Sequence, residues 1–161
     1  MEIINEASEK FRDKQAEVCE FLFGILKQLN ELESVVYGRS EELKKNRSEP
    51  HIIAPGEEEL WDEYERRTGE IVKPVCTEKL LKKRYGGSFG KPAAYDYIDG
   101  ESTAHFIMKS AAKAVVEVHF MHGTAQFHRF VLKSNNGSWL LDEMFYGFDS
   151  NPEKLYTHAI R

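Results

Sequence analysis

Residues 114–145 read AVVEVHFM-HGT-AQFHRFVLK-SNNG-SWLLDEMF, and this stretch decides the fold. Ala114–Met121, Ala125–Lys133 and Ser138–Phe145 are rich in Val, Phe and His, side chains that suit a pleated, half-buried surface. His122-Gly123-Thr124 and Asn135-Asn136-Gly137 separate them with tight-turn chemistry, so the three runs predict an antiparallel meander. Thr103–Lys109 reads as a strand before them, and Tyr95–Ile98 as a shorter one.

Upstream the period changes from 2 to 3.6. Ile4, Ala7, Phe11, Val18, Leu22, Ile25, Leu29, Leu32 and Val36 recur at three, four or seven residues, which predicts helix over 3–36, one long or two abutting. Gly38 marks a stop, and 44–50 is polar enough for a loop. A second helix is expected from about Pro55-Gly56 to Gly69, with Glu57, Glu58 and Glu59 at its positive end and Leu60, Trp61 and Tyr64 as its apolar edge. A third, short one covers about Val75–Tyr85, with Thr77 as its N-cap. Lys82-Lys83-Arg84 then serves the C-terminal end of that helix rather than a phosphate. The glycine-rich stretch 86–92 follows a helix and lacks phosphate-loop spacing, so it reads as a connector.

Helices followed by strands predict an α+β fold, with N-terminal helices packed on a curved antiparallel sheet. At 161 residues the chain fits one domain, 1–161, with a helical region over 1–86, a sheet region over 94–146 and a short C-terminal tail over 147–161. A chain of this length buries roughly 70% of its unfolded surface, enough for a core without staples. Cys19 and Cys76 form neither a disulfide framework nor a zinc pattern, and no other cofactor is implied. The first residues, MEIINE, lack a basic region and an apolar run, and no stretch of about 18 apolar residues occurs anywhere. The expected location is therefore the cytoplasm, away from membranes.

The net charge of −5 is unevenly placed. Residues 1–70 carry 18 Asp/Glu against 10 Lys/Arg, a net of −8, and residues 71–161 carry 9 against 12, a net of +3. An acidic helical half argues against nucleic acid, whose phosphates require clustered Lys/Arg. It suits a basic protein partner, and Glu57, Glu58, Glu59, Trp61, Asp62 and Glu65 are the candidate contact residues.

Two stretches resemble a known family. Cys76-Thr77-Glu78-Lys79 and then Ser88-Phe89-Gly90-Lys91-Pro92-Ala93-Ala94-Tyr95-Asp96 are similar to the Cys-Thr and Phe-Gly-x-Pro-x-x-Tyr-Asp stretches of bacterial immunity proteins with a nuclear transport factor 2-like fold. Phe130-Val131-Leu132-Lys133 and Asn136-Gly137-Ser138-Trp139-Leu140-Leu141-Asp142 are similar to the last two strands of that family, and the resemblance spans about residues 57–146. It implies a bent sheet wrapped around helices into a cone with a pocket, and dimers through the open sheet face. The implied function is non-enzymatic: binding and neutralising a cognate toxin protein. No catalytic residues come with it.

The alternative is a small-molecule-binding protein or an isomerase- or dehydratase-like enzyme that uses the cone pocket. Its candidate lining is Tyr95, Asp96, Tyr97, His105, Glu117, His119 and Arg129, with His128 and Asp142 as further titratable groups. Alternation places Glu117 and His119 on one strand face, and a cross-strand Glu117–Arg129 ion pair is expected. Convergence of His105, His119 and Asp96 in the cone would make a proton-transfer site. A pocket filled by Phe, Met and Leu would argue against this reading.

Overall fold

The computed structural model describes residues 1–161. It is an α+β structure in which a 30-residue helix, α1 (Gln15–Lys44), crosses one face of a curved six-stranded sheet. The strands are β1 (Glu2–Asn5), β2 (Ser102–Ser110), β3 (Lys113–His122), β4 (Thr124–Asn135), β5 (Ser138–Phe148) and β6 (Asn151–Thr157), and they lie in that order. β1 runs parallel to β2, and every other neighbouring pair is antiparallel. Helices α2 (Glu57–Val72) and α3 (Glu78–Leu81) complete the chain. No helix is long and apolar enough to cross a membrane.

The meander forms for the reasons its sequence suggests. Asn136 and Gly137, between the paired Asn135 and Ser138, have φ +52° and +84°, the left-handed values that a two-residue hairpin turn requires, and Gly123, alone between the paired His122 and Thr124, has φ +71°. Register shifts at Met108/Ser110, Val131/Leu132 and Tyr146/Phe148 bend the strands and give the sheet its curvature. Alternate residues on the inner face, including Phe106, Val116, Val118, Phe130 and Leu132, are fully buried against Val18, Leu22, Leu26 and Leu29 of α1. Each such side chain contributes about 1.5–3 kcal/mol when removed from water. Trp139 packs on the same core, and its indole N–H donates to Glu17 Oε1 at 3.0 Å.

Five expectations change. The helix forecast over 3–36 begins only at Gln15, after a 3₁₀ turn over Glu9–Lys14. Residues 2–5 instead pair with Thr103–Phe106, and the Asn5 side chain accepts the Ala7 N–H at 3.1 Å, which turns the chain out of the strand. The β-branched pair Ile3-Ile4 fits a strand as well as a helix stripe, and the free edge of β2 decides between them. Gly38 does not stop α1, which continues to Lys44 because Leu32 and Val36 pack on Leu60 and Tyr64 of α2. That burial offsets the ~1 kcal/mol helix cost of one glycine.

The expected strand at Tyr95–Ile98 is a 3₁₀ turn over Asp96–Ile98. Its backbone bonds locally, Ile98 N–H to Tyr95 O and Asp99 N–H to Asp96 O, with no neighbouring strand to pair with. Residues 147–161 are not a mere tail. They finish β5, form β6 and return to the core, where Ile160 is fully buried. Thr77 caps α3 as expected, its hydroxyl accepting the Leu80 N–H, but that helix is only four residues long.

Candidate functional site

Two features of the surface carry chemistry, a cavity at one end of the sheet and an acidic edge along α2. The cavity, about 220 Å³, lies between the segment 92–95, strands β3, β4 and β5, and the returning residues 158–161. Half of its twelve lining residues are apolar, among them Phe120, Met144 and Tyr146. The polar half includes His122, Gln126, His128, His158 and Arg161, with no carboxylate.

His128 is buried on the inner face of β4, and its Nδ1 lies 2.9 Å from the Tyr97 hydroxyl. Burial drives its pKa down to about 3, and the positive charges of His158, Arg161 and His122 push the same way. His158 is lowered for the same first reason, with Arg161 adding to it. Burial also holds the Tyr97 phenol well above its ordinary value. His128 and His158 face each other with ring centroids 6.1 Å apart. The Arg161 N–H donates to the Tyr95 hydroxyl at 3.3 Å, and the Arg161 guanidinium also reaches Ser88 Oγ. Its Nε is buried without a partner.

The candidate pocket residues divide between the two sheet faces. Tyr95 and Tyr97 point into the core, and Tyr95 lines the cavity. Asp96 turns outward and pairs with His122 at 2.5 Å. His105, Glu117, His119 and Arg129 lie on the opposite, open face, because alternation along β2–β4 gives the inner face to Phe106, Val116, Val118 and Phe130. There the expected Glu117–Arg129 pair forms at 2.6 Å. His119 sits between Glu117, 2.7 Å away, and Asp149, 3.0 Å away. His105 lies 3.2 Å from Glu6. His105 and His119 are neighbours, with ring centroids 5.3 Å apart, but Asp96 does not join them. Asp142 is buried and occupied by the Thr77 hydroxyl at 2.9 Å and by Lys133 at 3.2 Å. No group of three or more His, Cys, Asp or Glu side chains is arranged to hold a metal ion.

Sequence reasoning missed Glu33, His158 and Arg161. Glu33 lies four residues after Leu29, on the apolar stripe of α1, and a charge at a core position was the available signal. Its carboxylate accepts the N–H groups of Gly90 and Ala94 at 2.9 and 2.8 Å, fixing the loop above the cavity. His158 and Arg161 carry no local pattern; only the return of the chain brings them in.

On α2, Glu58, Glu59, Trp61, Asp62 and Glu65 are exposed, and the four carboxylates make no ion pair. Glu57 is withdrawn from that surface. It is buried, bonded to Arg47 at 2.7 Å and to the Ala54 N–H at 2.6 Å. Trp61 is 41% exposed and stacks on Phe89 with centroids 4.1 Å apart, while Phe89 also packs edge-on against Tyr64. Ile52 and Ile53, just before the helix, are exposed as well. No family model, curated protein or solved structure matches this chain.

Proposed function

We propose that this protein is a non-enzymatic immunity protein of the nuclear transport factor 2-like class that binds and neutralises a cognate bacterial toxin in the cytoplasm. The observation that carries the reading is the α2 edge, where unpaired Glu58, Glu59, Asp62 and Glu65 surround an exposed Trp61 stacked on Phe89. Unpaired carboxylates accelerate encounter with a basic partner, and an exposed aromatic supplies the anchor that interfaces bury. The Cys76-Thr77 and Phe89–Asp96 stretches add the family resemblance. The cavity histidine supports a binding role over proton transfer: with a pKa of about 3, His128 is a weak base at neutral pH.

The test is co-expression and co-purification with the product of the neighbouring gene. That product should be toxic alone and harmless with this protein, and the two should form a complex whose association slows as salt rises. Asp62→Lys and Trp61→Ala should each weaken the complex without unfolding the chain. A neighbour that is harmless alone, or that never co-purifies, would overturn the reading. The same family resemblance implies a homodimer through the open sheet face, which sedimentation of the isolated protein tests.

A further inference from the structure

The cavity between residues 92–95 and 158–161 is a built site whose polarity is one-sided. Its twelve lining residues include three histidines, one arginine and one glutamine, and none is acidic. Of the two nearby carboxylates, Glu33 accepts the backbone N–H groups of Gly90 and Ala94, and Asp96 pairs with the lining residue His122. Gln126 donates to the His122 carbonyl at 3.1 Å. Two groups remain for a ligand. Arg161 lines the cavity, and of its guanidinium only Nη1 is engaged, by Ser88 Oγ. His128 is 7% exposed, and Tyr97 engages its Nδ1, leaving Nε2 for the cavity. The tautomer assigned by the proposal has the Tyr97 hydroxyl donating to Nδ1, which makes Nε2 a second donor. Phe120, Tyr146 and Met144 supply an apolar wall beside these donors.

We propose that this cavity binds a small organic carboxylate, its anionic head on Arg161 and His128 and its apolar body against Phe120 and Tyr146. An anion would pair with the half-buried Arg161 guanidinium, and a carboxylate matches that group's fork. The size sets the ligand class. At about 220 Å³ the space is below the ~300–1,000 Å³ of drug-sized sites, yet above the ~150 Å³ that admits a benzene ring. The site touches the α2 edge through Ser88, which accepts from Arg161 and from the Tyr64 hydroxyl, but the proposal does not depend on the toxin reading.

The experiment is a titration of the intact protein with sodium benzoate, followed by the ring-proton NMR signals of His128 and His158 and by the melting temperature. Sodium chloride at matched ionic strength and inorganic phosphate are run in parallel. Saturable shifts of both histidines and a raised melting temperature are expected with benzoate, and no saturable shift with chloride. Arg161→Gln should weaken benzoate at least tenfold. Because removing Arg161 also breaks its contact with Ser88, a second variant, Ala94→Leu, fills the cavity while keeping every polar group, and it should abolish the shifts in a folded protein. Non-saturating shifts in the wild type, or unchanged benzoate binding in folded Ala94→Leu, would overturn the proposal. Phosphate binding as tight as benzoate would overturn the assignment to a carboxylate with an apolar body.

Discussion

Glu33, buried in the middle of α1, accepts the backbone N–H of Ala94 at 2.8 Å across 61 residues of sequence. Its other oxygen takes the Gly90 N–H at 2.9 Å, so one carboxylate fixes both ends of the loop that roofs the cavity. Glu33→Gln leaves one acceptor where two are used and points an amide donor at a backbone donor. The expected loss is about 1–3 kcal/mol, measured by urea unfolding. The pH dependence has a defined sign. Burial raises the Glu33 carboxyl above its ordinary 4.5, outweighing the two N–H bonds that lower it. The folded state therefore holds that proton more tightly than the unfolded chain, and its contribution falls as pH rises from about 4.5 through the raised value. The stability gap between wild type and Glu33→Gln should be widest on the acid side of that window and shrink above it.

The Arg47–Glu57 pair predicts the opposite slope. The Arg47 guanidinium, with the Ala54 N–H, holds the Glu57 carboxyl down at about 2 from an ordinary 4.5. Its contribution is complete above about 4.5 and is lost as pH falls through about 2. In Arg47→Ala the folded carboxyl returns toward its ordinary value, so the fall in melting temperature from pH 5 to pH 2 should be shallower than in the wild type. Parallel melting curves for the two proteins across that range would contradict the assignment.

Gly147 lies opposite Phe127 in the β4–β5 ladder, and the ring rests where a side chain at 147 would begin. A Cβ there would come within 2.9 Å of Phe127 Cε1, and Phe127 is fully buried. Gly147→Ala should therefore cost about 1–3 kcal/mol in denaturant unfolding, as overpacked sites do. A change below about 0.5 kcal/mol would show that the ring can move aside.

Both cysteines are buried, and burial pushes the Cys19 thiol up to about 11 and the Cys76 thiol up to about 12. Thiolate is the reactive form, so both should resist maleimide or disulfide reagents at pH 8 in the native protein and react once it unfolds. Rapid modification of either in the folded state would contradict their placement.

Where local pattern and tertiary environment agree, the sequence is a sufficient guide. The β3–β4–β5 meander follows from alternation plus Gly123 and Asn136-Gly137, because turn geometry and side-chain period are properties of neighbouring residues. The Thr77 cap follows from a hydroxyl placed three residues before a free N–H. Tyr95 and Tyr97 misled. Two inward aromatics spaced by two satisfy a strand pattern, yet a 3₁₀ turn buries both, and only the absence of a strand partner separates the cases.

What the sequence determined alone was the α+β division, the meander, the α3 cap and the acid bias of the α2 edge. All of these rest on contacts between residues close in the chain or on composition. The tertiary structure decided that Ile3-Ile4 joins the sheet edge, that His105, Glu117, His119 and Arg129 take the open face, and that Glu57 is spent on Arg47. It also decided that His128, His158 and Arg161 meet around one cavity. Those outcomes depend on which side of a sheet a helix covers and where a returning chain lands. Both are set by burial summed over the whole core, which no local spacing encodes.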